Sequence, residues 1–138
     1  MKLTMIVAAV VVVLAGCAPA EDTFDATKYG PDDPWGARGS GLALSHRAEI
    51  YQAQGNFGQS ELFYKRSIAV YEYALGTDAR ELVTPLNNLA RLYMGKKRYA
   101  EAEPLLVRAE AVAKKNGFPF SFIVENLAKT REEMNKRK

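Results

Sequence analysis

The sequence predicts an all-α fold, an antiparallel solenoid of helix pairs with two repeats and a C-terminal capping helix. The main observation is an internal repeat, because residues 42–75 align with residues 84–117 at an offset of 42 positions. A period of about 20 to 50 residues is typical of stacked structural units. The identical pairs are Leu44, Ala48, Tyr51, Glu61, Arg66, Ala69 and Val70 with Leu86, Ala90, Tyr93, Glu103, Arg108, Ala111 and Val112. Leu44, Ala48 and Tyr51 have helical spacing on one face, which predicts helices.

Each repeat is predicted to be a pair of helices, and a lone helix follows the second pair. The predicted helices lie near residues 41–54, 58–75, 80–96, 100–116 and 121–136. Gly55-Asn56 supplies the turn within the first pair, and Lys97-Arg98 takes that place in the second. Ala90 and Ala102 are expected to face each other across the second pair, because small residues let two helices approach closely.

Two helix boundaries depend on local signals. Asn116-Gly117 ends the fourth helix, because glycine adopts positive φ easily, and Ser121 is the predicted N-cap of the last helix. The start of the third helix has two alternatives. A start at Asp78 makes Pro85 kink the helix, whereas Thr84 as N-cap places Pro85 harmlessly at the first helical position.

The last helix is interpreted as the cap of the solenoid. Its apolar face is predicted to close the second pair, and consists of Phe122, Ile123, Leu127 and Met134. About three repeats are usually needed for independent stability. We therefore expect the cap to be essential and the soluble domain to be a folded monomer.

The second repeat carries a family resemblance. The stretches LNNLARLY at 86–93 and RYAEAEPLL at 98–106, with the connector ALGTD at 74–78, resemble the tetratricopeptide repeat. The resemblance is to the longer subtype that occurs in kinesin light chains and many bacterial proteins. The first repeat departs from this pattern at Arg47 and Ser60, where Leu and Ala are usual. We interpret it as an N-terminal capping repeat with a polar outer face, as a solenoid end requires.

The resemblance implies a protein-binding function, because the first helix of each pair lines a concave groove. The repeat register gives the groove positions, which the last helix extends: Ser45, Glu49, Gln52, Asn87, Arg91, Met94, Glu125 and Lys129. Asparagine at the position of Asn87 commonly holds the backbone of an extended ligand in this family; the alternative is a solvated helix residue. The mixed charges give no sign for the partner, so a protein or peptide is all that the sequence predicts.

The N-terminus has the layout of a secretory signal peptide, with a basic start, an apolar run over 3–15 and small residues before Cys17. The alternative of a retained membrane helix is weaker, because a spanning helix needs about 20 apolar residues. LAGC at 14–17 resembles the lipobox of bacterial lipoproteins; the other alternative is an ordinary signal peptide. The resemblance implies cleavage before Cys17, diacylglycerol on its sulfur and fatty acylation of the new amino terminus. Ala18 favours an outer-membrane address facing the periplasm, because aspartate there is associated with inner-membrane retention.

Three segments are predicted: a lipoprotein signal peptide over 1–16, a lipidated N-terminus and flexible tether over 17–40, and a repeat domain over 41–138. The tether assignment depends on its acidic, proline-rich and glycine-rich composition. Three aromatic residues in it, Phe24, Tyr29 and Trp35, either dock on the domain or on a partner, or are simply exposed.

Composition and motifs favour a protein without catalytic, cofactor, metal or nucleic-acid sites. The formal net charge is +3, but the basic residues are interleaved with acidic ones until the C-terminal Lys136-Arg137-Lys138. The single cysteine, once lipidated, leaves no disulfide or cysteine metal site. His46 is the only histidine, and neither a phosphate-binding loop nor an HExxH motif occurs.

The sequence therefore favours a lipid-anchored adaptor of the bacterial cell envelope that binds a protein or peptide partner and contacts the membrane through Cys17. One alternative is a pilotin-like assembly factor for a secretin or pilus subunit. Another is a structural envelope lipoprotein that associates with itself.

Overall fold

The fold is known from a computed structural model that describes residues 24–28 and 32–137. Five α-helices make up most of the described chain: α1 (Pro34–Ala53), α2 (Phe57–Leu75), α3 (Val83–Gly95), α4 (Tyr99–Lys115) and α5 (Ser121–Asn135). Two 3₁₀ helices, η1 (Ala26–Lys28) and η2 (Arg80–Leu82), precede α1 and α3. Helix α1 packs mainly on α2, α3 on α4, and α5 on α4. The described residues contain no strand, which confirms the predicted all-α helix-pair solenoid.

One apolar core runs through both pairs into α5. Its largest fully buried side chains include Tyr64, Leu86, Leu106 and Ile123. Small residues lie where helices approach, and Ala48, Ala90, Ala102 and Ala109 have no exposed surface. Ala90 and Ala102 are therefore buried within the second pair, as the repeat register predicts.

The turns within the two pairs repeat one backbone conformation. Gly55 has φ 74°, and Lys97, at the same repeat position, has φ 58°. Asn56 then caps α2, because its side chain accepts a hydrogen bond from the Gln59 N–H. Gly117 has φ 63°, which confirms the predicted end of α4.

Helix α1 begins at Pro34 rather than near residue 41, so residues 34–40, which we assigned to the tether, are helical. Asp33 caps the helix, because its carboxylate accepts a hydrogen bond from the Gly36 N–H at 2.9 Å. Pro34 takes the first helical position, where its missing N–H is not needed. At Gly41 the ring of Tyr71 lies so close that a Cβ would be 2.4 Å from it. Gly41, the first residue of the predicted helix, therefore allows α2 to approach α1.

Neither predicted start of the third helix is correct. Helix α3 begins at Val83 after η2, and Pro85 is its third residue. The first four N–H groups of a helix have no partner inside it, so Pro85 removes no hydrogen bond and needs no kink. Ser121 is likewise the first residue of α5 rather than its cap, which is Phe120.

The aromatic residues before and at the start of α1 behave differently. Phe24 packs against the small cluster of Ala37, Val70 and Ala74, and the Arg66 guanidinium lies 5.1 Å from its ring centre. Trp35 does not dock, since 79% of its surface is exposed. Tyr29 lies outside the described residues.

The cap helix α5 buries Ile123 and Leu127 as predicted, and Thr130 with them. Met134 is half-buried. Phe122 is 40% exposed, so its assignment to the buried face is wrong. Ser60 also differs from the expected polar surface, because it is fully buried.

Among the described helices, none is long and apolar enough to cross a membrane. The predicted signal peptide and Cys17 lie outside the described residues.

Candidate partner-binding groove

A cleft of about 500 Å³ lies where α1, α2 and α3 meet. Its lining combines two amides, two opposite charges, a phenol and a methyl group: Glu49, Gln52, Ala53, Tyr64, Asn88 and Arg91. Helices α1 and α3 supply most of these side chains because both present the same face, one repeat apart, to this side of the solenoid. We call this cleft the partner groove.

Two long hydrogen bonds hold the floor of the partner groove. The Tyr64 hydroxyl donates to Gln52 Oε1 at 3.3 Å, and Asn88 Nδ2 donates to Glu49 Oε1 at 3.3 Å. Burial, reinforced by the nearby Glu49 charge, raises the pKa of Tyr64 to about 12, so the phenol is a protonated donor at neutral pH. Hydrogen bonds this long are weak, so these groups can exchange partners for a ligand.

The two charges of the partner groove are open to a ligand. Arg91 is exposed and makes no ion pair with any residue in 24–28 or 32–137. Glu49 is exposed too, and within the same residues its carboxylate bonds only to Asn88. These charges can bind opposite charges on a ligand, while the amides of Gln52 and Asn88 can bind its peptide groups. The arrangement fits recognition of an extended polypeptide.

Comparison with known families agrees with this geometry. The tetratricopeptide repeat family matches residues 40–115, from within α1 to the end of α4. The chain belongs to the tetratricopeptide repeat family. Tetratricopeptide repeats generally mediate protein–protein interaction, and such proteins are typically non-enzymatic scaffolds. Comparison with curated proteins finds no match.

Two predicted groove residues of these tetratricopeptide repeats need correction, because both are buried. Ser45 Oγ lies 2.7 Å from Ser67 Oγ between α1 and α2. Asn87, at the same repeat position, accepts a hydrogen bond from Asn126 Nδ2 at 2.9 Å between α3 and α5. This position points toward a neighbouring helix in both repeats and therefore does not face the groove.

The other predicted residues divide between the groove and the surface around it. Glu49, Gln52 and Arg91 lie together in the partner groove. Met94 is half-buried and packs against the core. Glu125 and Lys129 are exposed on α5 and do not line the groove.

The repeat register of the first helices did not predict Asn88 or Tyr64 as groove residues. Asn88 directly follows the predicted Asn87, and the sequence does not show which of the two asparagines faces the groove. Tyr64 belongs to the second helix of its pair, so a rule that reads only first helices omits it.

The described residues also contain no group of His, Cys, Asp and Glu side chains that could hold a metal ion. His46 is exposed, as predicted for a surface histidine.

Proposed function

We propose that this chain is a lipid-anchored adaptor of the bacterial envelope, which holds an extended segment of a partner protein in the partner groove. Membership of the tetratricopeptide repeat family supports protein binding. The signal-peptide layout and the lipobox-like LAGC at 14–17 support the anchor. Ala18 supports the outer membrane, with the domain in the periplasm.

The observation that carries the adaptor role is the pair of charges, Glu49 and Arg91, that remain available beside two amides in one cleft. Arg91 can bind a carboxylate of the partner in a bidentate geometry. The Gln52 and Asn88 side chains can replace the hydrogen bonds that an extended backbone loses when it leaves water. Each group lies on a helix, so the groove is positioned before the partner arrives.

Crosslinking in intact cells, followed by mass spectrometry, tests the adaptor role. The variant Arg91→Ala is expected to lose most of the crosslinked partner, and Glu49→Gln part of it. Arg131→Ala is the matched control, because it removes an exposed cation on α5, away from the groove. Equal crosslinking in Arg91→Ala and the wild type contradicts the assignment of the groove.

The same measurement separates the alternative functions. A secretin or pilus subunit as the crosslinked protein identifies an assembly factor. A crosslink between two copies of this chain identifies a self-associating structural protein.

A second experiment tests the anchor. Metabolic labelling with a fatty-acid analogue is expected to mark the wild-type chain, and Cys17→Ser is expected to lose both the label and the membrane fraction. Label on the Cys17→Ser protein, or none on the wild type, contradicts the lipoprotein assignment.

A further inference from the structure

The face of α1 that points away from α2 is apolar. Its exposed residues follow helical spacing: Trp35, Gly39, Leu42, Ala43, His46 and Ile50. Trp35 is 79% exposed, and Leu42 and Ile50 are each 56% exposed. His46 is the one titratable residue among them. The polar outer face predicted for the first repeat is therefore wrong on α1. No helix among residues 24–28 and 32–137 covers this surface, which is here called the outer α1 face.

The chain before α1 determines what lies near this face. Phe24 is docked on α1 and α2 through Ala37, Val70 and Ala74, and the ring lies under Arg66. Cys17 precedes Phe24 by seven residues, which span at most about 25 Å when fully extended. A lipid on Cys17 therefore holds α1 within this distance of the bilayer.

A second copy of the chain fits the outer α1 face poorly. Helix α1 has 20 residues and is about 30 Å long. A strip of that length and about 10 Å width offers roughly 300 Å² per partner, whereas stable interfaces bury about 800 Å² on each side. Contact with a bilayer does not need an interface of this area, because the lipid anchor keeps the local concentration of lipid high.

We propose that the outer α1 face lies on the lipid bilayer, parallel to its surface, with Trp35 at the level of the headgroups. The inference rests on the proposed lipid anchor, which brings the bilayer into reach. Tryptophan prefers the membrane–water interface, and a helix with one apolar face lies in that plane. Asp32, Asp33 and Glu49 outnumber the neighbouring cations Arg38 and Arg47, so this surface has no net positive charge and its binding requires no anionic lipid.

The single tryptophan of the chain is a direct reporter. Full-length protein, expressed with its own N-terminus and purified from membranes, is reconstituted in phosphatidylcholine vesicles. The lipid on Cys17 is checked by mass spectrometry. Trp35 emission is expected to shift to shorter wavelength and to be quenched when the acyl chains carry bromine. Water-like, unquenched emission from lipidated, vesicle-bound protein overturns the inference and leaves the anchor standing.

Matched variants locate the contact. Leu42→Ser combined with Ile50→Ser is expected to lose most of the bromine quenching, because both side chains are on the outer α1 face. Val107→Ser, at a 43% exposed valine of α4, is expected to keep it. A blue shift without bromine quenching that grows with protein density assigns the face to a second copy and contradicts the inference.

Failure of the anchor is distinguishable from failure of the bilayer contact. If mass spectrometry finds no lipid, the anchor is wrong. The same protein is then coupled through Cys17, its only cysteine, to a maleimide-bearing phospholipid in the vesicles. Quenching of Trp35 in that preparation supports the contact of α1 with lipid, and its absence overturns it.

Discussion

The two ends of the solenoid differ, although within the described part of the chain neither end packs against a further repeat. The outer α1 face carries Trp35, Leu42 and Ile50 in solvent. At the other end, α5 exposes mainly small and polar residues, which include Ser121, Glu125, Ala128, Lys129 and Glu132; its exposed apolar residues, Phe122 and Val124, are 40% and 43% exposed. Solenoids need polar end faces for solubility. The C-terminal end is therefore the more polar of the two, whereas the N-terminal end retains the composition of a contact surface.

The junction between the two repeats also differs from the junction between the second repeat and α5. Glu61 accepts hydrogen bonds from Lys65, Tyr93 and Arg98 at 2.6 to 2.8 Å. Its repeat equivalent, Glu103, pairs with Arg131 of α5 at 2.7 Å. The carboxylate that joins the two repeats has three donors, so we expect it to contribute more than the one that joins α5.

Removal of each end is the strongest test of the comparison. Deletion of residues 119–138 removes α5 and exposes the apolar side of the second pair, so aggregation or unfolding is expected by light scattering and circular dichroism. Deletion of residues 1–33 removes η1, the Phe24 contact and the Asp33 cap of α1, and is expected to leave a folded monomer. A helical, monomeric protein after the C-terminal deletion contradicts the cap, and a stable dimer of the full domain favours self-association.

Overpacking compares two buried alanines of the second repeat with an exposed alanine of α5. Ala90→Leu and Ala102→Leu are expected to lower the free energy of unfolding by about 1 to 3 kcal/mol, because both alanines are fully buried. Ala128 is an exposed alanine of α5, so Ala128→Leu is expected to leave stability nearly unchanged. Thermal denaturation checks all three variants. Unchanged melting in both buried variants contradicts the repeat register.

Acid is expected to weaken the junction at Glu61. Burial opposes ionisation of this carboxyl, but the hydrogen bonds from Lys65, Tyr93 and Arg98 outweigh it and lower the pKa of Glu61 to about 2. The contribution is therefore complete above about pH 4.5, the ordinary value, and disappears as the pH falls toward 2. Melting temperatures across this range should show Glu61→Gln less stable than wild type at neutral pH and equal to it near pH 2.

Glu103→Gln serves as the control for this junction. Its exposed ion pair with Arg131 is of a kind that contributes about 0 to 1 kcal/mol, so a smaller loss at neutral pH is expected. If Glu103→Gln loses as much stability as Glu61→Gln, the two junctions do not differ.

The last comparison concerns the two turns. Lys97 has positive φ, a conformation that disfavours side chains by about 1 to 2 kcal/mol. Lys97→Gly is therefore expected to raise the melting temperature slightly, and Gly55→Ala to lower it. In chemical denaturation, a Lys97→Gly variant that is less stable than wild type, or a Gly55→Ala variant that is more stable, would show that the turns are not equivalent.

The fold was predictable because the residues that pack between the helices recur at the same offset as the sequence repeat. Identical residues at an offset of 42 specify both pairs, and each predicted helix exists. The start of α1 was missed because Gly36 and Gly39 lie in a proline-rich and acidic stretch that resembles a linker.

The groove was predictable only in part. Repeat register placed Glu49, Gln52 and Arg91 correctly beside one another. It also assigned Ser45 and Asn87 to the groove. The repeat register locates a helix face only to within one residue, and the burial of a residue on that face depends on the neighbouring helix. The apolar outer face of α1 was also missed, since the expectation of a polar end came from Arg47 and Ser60 alone.

The docking of Phe24 also determines how the protein responds to a pulling force. Load applied at Cys17 reaches η1 before α1, and η1 has only three residues beside the Phe24–Arg66 contact. The contact involves a three-residue segment, whereas the 20-residue α1 packs on α2. We therefore expect the Phe24 contact to release before α1 separates from α2 when the chain is pulled at Cys17. Its release frees the ten residues up to Pro34, which add at most about 36 Å of reach.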